Sequence, residues 1–86
     1  MSRADKAWAK AIRALEAATP ASGFRPTTEA EWEKLVTANK KMAYATYLQA
    51  GASKKQARAF ARITMGGATG RLFLEMSFNA EEARHG

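Results

Sequence analysis

Trp8, Ala11, Ile12, Leu15 and Ala18 recur three or four positions apart, while Lys6, Lys10 and Arg13 fall off that line. The spacing predicts an amphipathic helix over about residues 2–18. Ser2 is placed to cap its first amide groups, and Asp5 lies near the positive end of the helix dipole. The pattern breaks between Thr19 and Pro26, where Pro20, Gly23 and Pro26 make a linker. Phe24 is expected to anchor that linker in the core. A second stripe, Trp32, Leu35, Val36, Asn39, Met42, Ala43, Thr46 and Ala50, predicts a helix over about residues 28–50. Tyr44, Tyr47 and Leu48 widen its apolar surface. Asn39, polar within the stripe, should lie at the boundary or bond to a neighbour. Thr28 and Glu31 have capping-box spacing at the start, and Gly51 suits the left-handed end. Ser53 and Gln56 repeat the capping box, so a third helix should span about residues 53–65 and stop at Gly66-Gly67.

The last segment reads two ways. Gly66 to Gly70 suggests a flexible turn. Beyond it, Leu72, Leu74, Met76 and Phe78 alternate with Arg71, Phe73, Glu75 and Ser77, which suits a strand. Leu72, Phe73, Met76 and Ala80 equally define a helical face. No other convincing strand exists to pair with, so a fourth helix over about residues 69–82 is favoured, with a fraying end. The expected fold is all-α: one small three- to four-helix bundle spanning the chain, with a helix-turn-helix-like pair inside it.

Composition makes that bundle a thin one. The chain has 86 residues, and much of its 47% hydrophobic content is Ala, which buries little area. Dimerisation or docking on a partner would supply missing stability. Leu72, Phe73, Leu74, Met76 and Phe78 are the expected self-association surface. The chain has no Cys, no apolar run of membrane-spanning length and no signal-peptide core, which leads to an expectation of a cytoplasmic protein.

Charge changes the picture further. The net charge is +6, but residues 1–33 sum to zero and residues 75–86 to −2. Between them, Lys34, Lys40, Lys41, Lys54, Lys55, Arg58, Arg62 and Arg71 stand with no acidic residue at all. Such a block attracts polyanions. At about 100° per residue, Lys54, Arg58, Arg62 and Lys55 fall in one quadrant of the third helix. Ala57, Ala59, Phe60, Ile63 and Thr64 fall on the remaining faces and are expected to pack on the second helix.

The stretch "GASKKQARAF", with the helix before it, resembles the helix-turn-helix motif: a turn glycine, a small residue, then a Ser that caps a helix. The likeness covers Ala43 to Arg62. Tyr47 stands where the motif usually has Ala, four residues before the glycine, and should point elsewhere or hold the helices apart. The resemblance implies a DNA-binding regulator, of the kind carried by bacteria, phages or plasmids. It implies that Ser53 and Lys54 amides hold a phosphate, and that Lys54, Lys55, Gln56 and Arg58 read base edges. Arg62, Lys40, Lys41 and Arg71 would grip the backbone.

Other chemistries find little to stand on. His85 is the lone His and Asp5 the lone Asp; no catalytic, metal or cofactor site is expected. The Gly66–Gly70 turn lacks the Lys-Ser/Thr of a phosphate-binding loop. Tyr44 and Tyr47 suit the core better than RNA stacking, and only Phe60 could enter a membrane surface. The alternative partner is an acidic face of a larger host protein.

Overall fold

The computed structural model describes residues 2–20 and 25–85. Four helices follow one another: α1 (Arg3–Ala18), α2 (Glu29–Gln49), α3 (Lys54–Met65) and α4 (Gly67–His85). There is no strand among the described residues. The alternation in Arg71–Phe78 therefore belongs to a helix, which buries Leu74, half-buries Phe78 and exposes Leu72, Phe73 and Met76. Phe24 lies outside the described residues.

The starts of α1, α2 and α3 are capped as the sequence expects. Ser2 Oγ accepts from the Asp5 amide at 3.1 Å. Thr28 Oγ1 accepts from the Glu31 amide at 3.1 Å. The Glu31 carboxylate in turn accepts from the Thr27 and Thr28 hydroxyls, and these bonds hold its pKa below the ordinary value. At α3, Ser53 Oγ accepts from the Gln56 amide, and the Ser53 amide donates back to Gln56 Oε1 at 3.0 Å.

Helix α2 is the axis of the molecule. Antiparallel α1 covers one side: Ala18 shares a cleft with Ala30, and Lys10 another with Lys41 and Tyr44. Helix α3 packs beside its C-terminal half, and α4 runs back beside its N-terminal half. Trp32, Leu35, Ala38, Ala18, Met65 and Leu74 form the core, with Val36, Leu15 and Phe78 against it. Because α2 packs against three neighbours, its buried side is shifted from the expected stripe. Ala38 and Ala45 are buried, whereas Thr46 and Ala50, assigned to the apolar stripe, are exposed. Asn39 is half-buried and donates to the Leu35 carbonyl at 2.9 Å.

The two glycine turns differ in what they need. After α2, the Ala52 amide bonds the Tyr47 carbonyl and the Gly51 amide the Leu48 carbonyl, each at 3.0 Å. This is a Schellman closure, with Gly51 at φ 101°. The Gly66–Gly70 segment is not the flexible turn its composition suggests. Only Gly66 interrupts helix, and Gly70 lies inside α4. A Cβ on Gly70 would stand 2.3 Å from the Met65 carbonyl oxygen and 3.0 Å from Val36 Cγ1. Close approach of α4 to α3 and α2 is what that glycine provides.

Two arginines tie α4 down. Arg71 lies 4.8 Å over the Trp32 ring and pairs with Glu29 and Glu75. Arg25 bonds Asn79 at 2.8 Å and Glu82 at 3.3 Å, and lies over Phe78.

Candidate nucleic-acid interface

Helix α3 buries Ala57, Ala61 and Met65, spaced four apart. This corrects the expected packing face. Ile63 is 70% exposed and Phe60 43%, and Ala59 and Thr64 are exposed too. The reason is close approach. Ala45 on α2 and Ala57 are fully buried and Ala61 nearly so, and small side chains at the contact draw two helices together. Bulkier Ile63 is left on the far side. Tyr47 turns toward Phe60, with ring centroids 5.2 Å apart, so its bulk lies beside the Ala seam.

Lys54, Lys55, Arg58 and Arg62 are all exposed. No ion pair among the described residues engages any of them. The acidic residues of α4 are occupied elsewhere: Glu75 by Arg71, Glu81 by Arg84 and His85, Glu82 by Arg25. At about 100° per residue, Lys54 falls in line with the buried Ala57–Ala61–Met65 seam and Arg58 beside it, where it lines a cleft with residues of α1 and α2; Arg62 and Lys55 lie further round to the side, and Ala59 and Ile63 point away from the seam.

Lys40 and Lys41 join this surface from α2. With Arg58, Lys10, Thr37, Tyr44 and Ala61 they line a cleft of about 390 Å³ that has no carboxylate in its wall. Lys10 and Tyr44 are the residues that sequence reasoning missed. Lys10 sits in a charge-neutral segment, and only the antiparallel α1–α2 pairing carries it to the basic block. Tyr44, expected in the core, is half-buried and lines the cleft.

Arg71, counted with the basic residues, does not belong to this surface. Its guanidinium donates to the Glu29 carboxylate first and then to Glu75, bonds that raise its pKa and set two negative charges against its own. Gln56 is exposed, but its Oε1 is committed to the α3 cap. Bidentate pairing with adenine would have to share that oxygen with the cap.

A wider cleft of about 740 Å³ lies on the other side, between α2 and α4. Glu29, Glu33, Glu75 and Arg71 line it together with Trp32, Val36 and Leu72. Its three carboxylates against one guanidinium give it the opposite sign to the cationic face of α3. Among the described residues, no three His, Cys, Asp or Glu side chains group as a metal site requires, and no helix is long and apolar enough to cross a membrane.

Comparison with family models, with curated proteins and with solved structures returns no match for the chain.

Proposed function

We propose that this chain is a small DNA-binding regulatory protein that lays α3 against the duplex. One observation carries the reading: Lys54, Lys55, Arg58 and Arg62 stand exposed on a capped helix, and none of them makes an ion pair among the described residues. Twelve residues give α3 a length of about 18 Å, and a helix fits a major groove about 12 Å wide.

The buried seam supports a division of roles. Lys55 and Arg62, on the side of the helix away from the seam, meet base edges, and Ala59 and Ile63 next to them suit the thymine methyl group. Lys54 and Arg58, nearer the seam, meet phosphates with Lys40 and Lys41. Ser53 and Gln56 serve the helix start, whose free amides also favour a phosphate.

A second reading has its own support. Phe60 and Ile63 place apolar surface beside the cations, a mixture that also suits an acidic face of another protein. Titration into mixed-sequence duplex DNA and into poly-glutamate, at low and moderate salt, separates the two. Tight, salt-sensitive DNA binding with weak poly-glutamate binding is expected. Indifference to DNA with tight capture of the acidic polypeptide would overturn the DNA reading.

A further inference from the structure

The cleft between α1, α2 and α3 gathers cations from three separate helices. Lys10 comes from α1, Lys40 and Lys41 from α2, and Arg58 from α3; Thr37, Tyr44 and the buried Ala61 complete the wall. All four cations are exposed, and none makes a side-chain ion pair among the described residues. Like charges around a concavity repel one another, and low-dielectric walls concentrate their field. The neighbouring cleft along the α1–α2 seam contains Lys34 and Lys41 but also Glu33, so it lacks that uniform sign.

We infer that the Lys10–Lys40–Lys41–Arg58 cleft holds a backbone phosphate of the bound duplex, with α1 contributing through Lys10. The inference rests on the DNA reading above and adds a contact outside the α2–α3 pair. Arg58 links the two parts, because it projects from the helix that enters the groove and also lines the cleft. A phosphate seated there takes donors from three helices and fixes the angle at which α3 meets the groove. Thr37 and Tyr44 bring hydroxyl groups to the same wall, able to donate to phosphate oxygens.

Lys6 supplies the control. It is exposed on α1, one turn before Lys10, and does not line the cleft. Lys6→Ala and Lys10→Ala change net charge equally, and neither removes a buried group. Binding of each variant to a mixed-sequence duplex is measured by fluorescence anisotropy between about 50 and 200 mM salt. For Lys10→Ala, the log–log salt slope should become shallower by about 0.9, the value for one phosphate, and affinity should fall about threefold. Lys6→Ala should keep the wild-type slope. In parallel, the Thr37, Tyr44 and Ala61 amide resonances should move on titration with inorganic pyrophosphate.

Wild-type DNA binding with identical slopes for the two variants would overturn the cleft assignment while leaving the α3 reading intact. Absence of DNA binding by the wild type would overturn both. Saturable pyrophosphate binding in the cleft without DNA binding would reassign the site to a free phosphate compound.

Discussion

Gly70 is a helical residue kept small by its surroundings. Glycine inside a helix costs about 1 kcal/mol relative to alanine, so Gly70→Ala should stabilise an isolated α4. In the folded chain the added methyl would meet the Met65 carbonyl oxygen at 2.3 Å, and backbone cannot swing aside as a side chain can. The expected net effect is a loss of about 1–3 kcal/mol, read from urea unfolding. At Gly51 the methyl meets nothing, but φ is 101°, so Gly51→Ala is opposed by conformation alone. Glu31 gives a prediction in pH. Hydrogen bonds from Thr27 and Thr28 lower its pKa from 4.5. Its contribution is therefore present above pH 4.5 and lost as pH falls through the lower folded value. The stability advantage of wild type over Glu31→Gln should shrink across that acidic window in thermal unfolding scans. For Arg71, two carboxylates already occupy the guanidinium. Arg71→Ala should lower stability and leave the salt slope of DNA binding unchanged.

At the scale of the element, α3 depends on its first turn. Ser53 and Gln56 satisfy amide groups that the helix itself cannot. Ser53→Ala should cost about 1 kcal/mol in urea unfolding, as loss of an N-cap commonly does. Gln56→Ala should cost less, because it leaves the Ser53 hydroxyl in place. If Gln56 acts only as a cap, its removal leaves DNA sequence preference unchanged in a competition assay; an altered preference would return it to base reading. Helix α2 depends instead on its neighbours. It packs against α1, α3 and α4, and its buried residues, Trp32, Leu35, Ala38 and Ala45, share one broad side that takes in small Ala positions outside the expected stripe. Helix α4 is held at Arg71 and Arg25 and leaves its Leu72–Phe73–Met76 side bare.

For the whole molecule, the core is shallow. No large side chain among the described residues is fully buried, while Leu72, Phe73 and Met76 are 58%, 57% and 62% exposed. Of the five residues expected to self-associate, these three are exposed, whereas Leu74 is in the core and Phe78 packs edge-on against Trp32, 5.8 Å between centroids. A dimer formed through the bare side of α4 makes stability depend on concentration. The melting temperature should rise with protein concentration, and Phe73→Ser with Met76→Ser should abolish that rise while retaining helical circular dichroism. Such a dimer would leave the α1–α2–α3 cationic surface free, since α4 meets α2 at its opposite, N-terminal half.

The sequence by itself determined where α1, α2 and α3 begin and where α2 stops, because caps and breakers act over a few residues: Ser2, Thr28, Ser53 and Gly51 each do what local chemistry requires of them, whereas the start of α4 at Gly67 carries no such signal. It also determined that the middle of the chain is cationic without internal relief. Tertiary structure alone decided which face of α3 is buried. Periodicity ranks faces by side-chain size and polarity, whereas close helix approach rewards the Ala57–Ala61 row and leaves Ile63 outside. Only the fold took Arg71 out of the basic surface by pairing it with Glu29, 42 positions away, and only the fold brought Lys10 to Arg58. Electrostatic neighbours are set by distance in space, and distance along the chain does not record it.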